Sequence, residues 1–261
     1  MGLTFGGGPL ARPAGAQTNY RIDGPKHLLN FIDFPRRVRA LLGGEVILDT
    51  TRGRLLHETG LLPALYVPSE DVTASLLRPS PHHTHCPFKG EAAYWNVQVG
   101  DRTVENAVWS YPEPIESATW LRGYQAFYWD AMDAWYDESE QVFGHLRDPY
   151  HRVDVRDASM RVRVTRGEEV LAESGRAKVL SETGLPNRYY LPREDVRVEL
   201  RASETSAVCP YKGTSSYWSA AGLDDIAWSY EDPLAGMREI TGRVCFLHDD
   251  VSVQILDDTG S

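Results

Sequence analysis

A chain of 261 residues with 42% hydrophobic and 25% charged residues has the composition of a globular protein long enough for two ordinary domains. The formal net charge of −10 argues against broad binding to nucleic acid phosphates and against docking on anionic membranes, because both need a basic surface. No stretch approaches the length of a transmembrane helix. The three cysteines, Cys86, Cys209 and Cys245, form no CxxC pair, which disfavours a zinc knuckle and suits a reducing compartment.

In chain order, residues 1–30 read as a flexible arm rich in Gly, Pro and Ala. They hold no apolar core of signal-peptide length, so the expected location is cytoplasmic. A short helix is expected near Pro25 to Phe31. A first domain follows over 31–140, a linker over 141–157, and a second domain over 158–261. The two domains are copies of one another. Glu58-Thr59-Gly60-Leu61 recurs as Glu182-Thr183-Gly184-Leu185 at an offset of 124, and Glu58 to Val72 matches its partner at 9 of 15 positions. Cys86-Pro87-Phe88-Lys89-Gly90 recurs as Cys209-Pro210-Tyr211-Lys212-Gly213. Tyr94-Trp95 recurs as Tyr217-Trp218, and Trp109-Ser110-Tyr111 as Trp228-Ser229-Tyr230. The preserved order and the small drift in offset mark a tandem duplication with loop indels.

Period-two alternation predicts strands throughout. The C-terminal copy shows a hairpin at Arg161 to Leu171 and strands at Ala177 to Leu180, Arg188 to Leu191, Val196 to Leu200, Ser216 to Ser219 and Ile226 to Tyr230. Phe127 to Tyr136 is helix or strand taken alone. Its repeat partner, Phe246 to Ile255, alternates, so both are expected as strands. The fold class is all-β: seven or eight short strands per copy, in a small sandwich or partly open barrel.

At these motifs each copy resembles the DUF427 family, a bacterial and fungal family named for its unknown function. Glu182 to Val196 (ETGLPNRYYLPREDV) and Thr84 to Trp95 (THCPFKGEAAYW) carry the resemblance most fully. It implies a β-tent-like domain, similar in architecture to B-type methionine sulfoxide reductases, formaldehyde-activating enzymes and the thalidomide-binding domain of cereblon. The zinc of those relatives does not carry over, because this chain lacks their two CxxC pairs. The family also bears a nucleotidyltransferase-like label, which is disfavoured. No Gly-Ser with a DxD-type metal pair and no Gly-rich phosphate loop is present.

The shared blocks supply the candidate site. Cys86 and Cys209, each three residues before Lys89 and Lys212, form a reactive pair if the ammonium favours the thiolate. The alternative is a buried thiol and a lysine that pairs with Glu58 or Glu182. Those glutamates are either the site's carboxylate or turn residues ahead of Gly60 and Gly184. Tyr94, Trp95, Trp109 and Tyr111, with Tyr217, Trp218, Trp228 and Tyr230, are candidates for an aromatic wall, against plain core packing. The copies differ where Arg188 and Tyr189 face Ala64 and Leu65, and where Thr84 faces Ala207.

His82, His83 and His85 suggest a metal, but they have no counterpart in the second copy, so no metal and no cofactor is expected. The His151-Arg152 pair at the junction of the copies is either part of a cleft or a linker feature. The leading function is binding of a small anionic or carbonyl-bearing molecule, with its transformation left open. The alternative is a non-catalytic module for a modified peptide or side chain. No nucleic-acid or membrane partner is expected.

Overall fold

The computed structural model describes residues 4, 10, 17, 19 and 23–256. Most of the arm expected over 1–30 therefore lies outside the described residues. The chain divides into two compact units, Met1–Asp148 and Pro149–Ser261.

The first unit runs β1 (Leu29–Asp33), β2 (Val38–Leu42), β3 (Glu45–Thr50), β4 (Arg54–Glu58), β5 (Ala64–Pro68), β6 (Leu77–Cys86), β7 (Gly90–Val99), β8 (Arg102–Ser110), β9 (Tyr124–Phe127), β10 (Ala134–Asp137) and β11 (Glu140–Val142). The second runs β12 (Val153–Asp157), β13 (Arg161–Arg166), β14 (Glu169–Ser174), β15 (Lys178–Glu182), β16 (Arg188–Leu191), β17 (Arg201–Cys209), β18 (Gly213–Ala220), β19 (Leu223–Ser229), β20 (Val244–Phe246) and β21 (Ser252–Leu256). Each unit has a seven-stranded antiparallel sheet, in the order β1-β4-β5-β9-β8-β7-β6 and β12-β15-β16-β20-β19-β18-β17. A smaller sheet covers one of its faces, β11-β10-β2-β3 in the first unit and β14-β13-β21 in the second. The fold is all-β with two similar halves, and neither large sheet closes into a barrel. Helical pieces such as Glu116–Leu121 and Ala235–Ile240 are short 3-10 turns. Among the described residues no helix is long and apolar enough to cross a membrane.

Strand alternation gives each large sheet two apolar faces. In the first unit Leu55, Val67, Val97 and Val108 meet Val38, Ala40 and Leu48 of the small sheet to form the main core. Leu56, Tyr66, Tyr94 and Ala126 point the other way and pack with Ala118 and Leu121. The second unit repeats both layers, the outer one built from Leu180, Tyr190, Tyr230 and Ile240. This outer face carries the candidate site.

Four expectations are corrected. No helix forms at Pro25 to Phe31: the segment enters β1, whose Leu29–Asp33 pairs with β4. Long-range pairing overrides local propensity there. Val196 to Leu200 is not a strand. Val196 makes one bridge to Ala172, and β17 begins only at Arg201. Neither Phe127 to Tyr136 nor Phe246 to Ile255 is one strand: the first is the end of β9, a 3-10 turn over Trp129–Ala131, and β10, and the second is the end of β20, a turn, and β21 from Ser252. The ladder is also displaced by one residue from the repeat alignment, so that Ala40 faces Trp135 where Val164 faces Val253.

The Cys-Pro-aromatic-Lys-Gly blocks are hairpin turns, with Cys86 paired to Gly90 and Cys209 to Gly213. Both glycines have φ of +107°, where side chains are strained. A Cβ on Gly90 would sit 3.2 Å from the Glu113 carbonyl oxygen and 3.3 Å from the Ile115 nitrogen. Gly90→Ala is therefore expected to cost about 2 kcal/mol in urea unfolding. Gly100→Ala, at φ +55° in open space, should cost about half as much. Equal costs would show that handedness alone, and not the crowded turn, demands glycine at residue 90.

Candidate functional site

The Glu-Thr-Gly-Leu block closes β4 and β15 with a tight turn. The Leu61 and Leu185 amides donate to the carbonyls of Glu58 and Glu182, both at 3.0 Å, and Gly60 and Gly184 take φ of +79° and +76°. The threonine clasps the strand beside it. The Leu28 amide donates to Thr59 Oγ1, and the Arg152 amide to Thr183 Oγ1, each at 2.9 Å. That clasp sets the preceding residue, His27 or His151, against the glutamate. The glutamate's backbone thus makes the turn while its carboxylate serves the site.

Each carboxylate is shared by two donors. Lys212 Nζ lies 2.7 Å and His151 Nε2 2.9 Å from the two oxygens of Glu182. In the first copy Lys89 Nζ binds Glu58, and His27 Nε2 lies 3.3 Å from its other oxygen. The lysines are only 7% and 8% exposed, because the hairpin turn aims them under the sheet. The turn's aromatic residue packs on the histidine: Phe88 stacks on His27 at 4.0 Å, and Tyr211 lies 4.4 Å from His151. Burial pushes the Glu182 carboxyl up, but hydrogen bonds from His151 and Lys212, with the Lys212 charge, more than reverse this and hold it at about 2.

Beside this centre lies an aromatic layer. Trp228 Nε1 donates to Tyr190 Oη at 3.1 Å, and Trp109 Nε1 to Tyr66 Oη at 3.2 Å. Burial raises the hydroxyls of Tyr66, Tyr111, Tyr190 and Tyr230. Lys89 sits over the Tyr111 ring at 5.4 Å. In the second copy a cleft of about 310 Å³ opens on this layer, lined by Glu182, Arg188, Tyr190, Cys209, Lys212, Tyr217, Trp228 and Tyr230 with Leu180, Leu185 and Leu247. The cysteine and lysine of the shared block thus reach one cleft with the glutamate. Cys86, Cys209 and Cys245 are free thiols. Burial pushes the Cys245 thiol up to about 12, while the Arg188 charge acts in the opposite sense.

Three candidates lie elsewhere. Trp95 and Trp218 point to the opposite face and pack against the core between the sheets, because each directly follows a tyrosine on the site face. Trp218 donates from Nε1 to Ser229 Oγ at 2.8 Å and carries the Arg193 guanidinium on its ring. Tyr189 likewise faces that core. His82 packs on Tyr94 and His85 pairs with Glu91. Among the described residues no group of three metal-capable side chains converges.

His27 is the residue overlooked in the sequence, and His151, expected as part of a cleft or a linker feature, lies against Glu182 at the centre of the candidate site. A signal existed: Pro25-Lys26-His27 and Pro149-Tyr150-His151 stand at the same offset of 124 as the glutamates they contact.

The copies differ in how open the layer is. In the first, the Thr84 and Tyr94 hydroxyls are 2.9 Å apart, and the Tyr128 ring lies 4.8 Å from Trp109. Tyr94 is 7% exposed. In the second, Ala207 and Leu247 replace Thr84 and Tyr128, and the Tyr217 hydroxyl makes no hydrogen bond among the described residues. Arg188 stands where the first copy has Ala64.

Residues 30–138 and 154–257 each match the family model described as "Domain of unknown function (DUF427)". No curated protein shows significant similarity to the chain.

The depressed Glu182 carboxyl makes a pH prediction. Its contribution is fully present above its ordinary value of 4.5 and is lost as pH falls towards 2. Acid unfolding of the second unit should show a loss of about 2 kcal/mol across that window, allowing for solvent screening. Glu182→Gln should be less stable at pH 7 and flatter in acid. An unchanged acid profile in that variant would remove the carboxylate from the account.

Proposed function

For this chain, which belongs to the DUF427 family of domains of unknown function, we propose that the C-terminal copy binds a small anionic molecule in the cleft beside Arg188. The observation that carries this is the contrast between the cleft's two cations. Lys212 is held on Glu182 and serves as a neutralised support. Arg188 is half-buried and lines the cleft, and its guanidinium makes no ion pair or hydrogen bond among the described residues. A half-buried guanidinium without a carboxylate favours an incoming anion, and its planar fork matches a carboxylate or a similar two-oxygen group.

The surroundings support the same reading. The cleft volume falls in the range of small-molecule sites. Tyr217 and Trp228 line it with their rings 6.3 Å apart, and the Tyr217 hydroxyl is available to a ligand oxygen. The first copy lacks the arginine, and its Tyr94 hydroxyl is already engaged by Thr84. The anion site is therefore assigned to the second copy alone.

The test is a thermal-shift screen of the full chain against carboxylates and phosphates, followed by affinity measurement for any binder. Arg188→Met should weaken binding about thirtyfold, the worth of a charge-assisted pair, and leave the melting point of the free protein unchanged. Arg188→Lys should restore only part of the loss. A ligand that binds Arg188→Met as tightly as the original chain would refute the assignment.

A further inference from the structure

A second cavity of about 270 Å³ adjoins the cleft in the C-terminal copy. Its walls are mostly apolar, Val164, Tyr189, Phe246, Val251, Val253 and Ile255, with the polar Asn187 beside Arg188. Arg188 and Leu247 line both cavities. The sheet explains how they meet. β16 and β20 pair only at Tyr190–Cys245 and Leu191–Val244. One step further the ladder ends, and the Leu247 amide turns instead to the Ile226 carbonyl at 3.0 Å. The strands part between Arg188 and Leu247, so the polar cleft on one face and the apolar cavity on the other share an arginine at their junction.

The first copy shows what this space looks like when filled. The ladder position opposite Ala40 is Trp135, which is 3% exposed and stacks on Trp129 with ring centroids 4.3 Å apart. The same position in the second copy, opposite Val164, is Val253, which is 39% exposed. An indole has been exchanged for an isopropyl group, and nothing among the described residues takes up the volume. The same copy that gained the room also holds Arg188 in place of Ala64.

We infer that the ligand class of the second copy is an amphipathic monocarboxylate. Its carboxylate pairs with Arg188, and its aliphatic tail passes between β16 and β20 into the cavity under Val253. Two independent features converge on this: an arginine without an acidic partner among the described residues, and an apolar cavity that opens directly beside its guanidinium. An apolar cavity alone would take any hydrophobe, and a lone arginine any small anion. Their junction selects a molecule that carries both. The inference rests on the anion-binding reading above and names the substrate class of that site.

The experiment is calorimetric titration of the full chain with acetate, butanoate, hexanoate and octanoate below their micelle concentrations, with octan-1-ol as the neutral control. Affinity should rise about fourfold per added methylene, and octan-1-ol should bind far more weakly than octanoate. Arg188→Met should weaken every acid. Val253→Trp, which restores the side chain of the first copy at an exposed position, should leave acetate and butanoate unaffected and remove the gain from longer chains. Val253→Asp should oppose the tail in the same way and serves if the tryptophan variant is unstable. If the acids bind through Arg188 with an affinity independent of chain length, the tail assignment fails while the anion site stands. If phosphate or another compact anion binds in an Arg188-dependent way and no acid does, the substrate class is wrong. If nothing anionic binds, both readings fall. A chain-length gain that survives in both Val253 variants would place the tail elsewhere and overturn the inference.

Discussion

In each copy the structure turns on one buried carboxylate shared between a lysine and a histidine. Removing a carboxylate and an ammonium from water costs several kcal/mol per ion, and this is offset only when geometry and hydrogen bonding are nearly complete. Glu182 meets that condition with Lys212 on one oxygen and His151 on the other. The three groups come from three separate places: the turn after β15, the hairpin between β17 and β18, and the strand entry before β12. None of these segments can shift without stranding a charge. Two of the shared sequence blocks and the histidine at the strand entry are therefore the three ends of one electrostatic bolt, and the glycines and proline of those blocks shape the turns that deliver it.

That constraint redirects the chemistry. Lysine and cysteine in a rigid loop suggest a reactive pair, yet the lysine's ammonium is committed to the glutamate in both copies. A group that holds the frame together is poorly placed to recognise a ligand as well. In the proposed function recognition falls to a residue outside the bolt, Arg188, whose guanidinium makes no hydrogen bond or ion pair among the described residues. The frame tolerates that change because strand alternation puts residue 188 on the site face whatever its identity.

Duplication lets the two copies diverge on a common frame. The first closes its aromatic layer with Thr84 on Tyr94 and fills its lower space with stacked Trp129 and Trp135. The second replaces these with Ala207, Leu247 and Val253 and has two cavities that meet at one arginine. The first two changes are single side chains at aligned positions, and the third comes with the one-residue displacement of the ladder. Close packing makes the loss of one indole enough to open a cavity.

The duplication, the all-β class and the residues of the shared blocks follow from the sequence alone, because repeat matching and period-two alternation are local properties of the chain. The orientation of Tyr94 against Trp95 is also legible as alternation, but not which of the two faces the site. That depends on which side of the large sheet the small sheet covers. His27 and His151 carry the right offset yet sit among dissimilar neighbours, and their role appears only when β1 and β12 dock on β4 and β15. The helix expected at Pro25 to Phe31 yields to the same docking. The displaced register of Trp135 and Val253, which decides where the second copy is hollow, is set by ladder pairing between strands more than 80 residues apart in the chain. Residue identity and local periodicity are written along the chain. Face, partner and cavity are decided by strand pairing across long sequence distances, and only the tertiary structure holds that information.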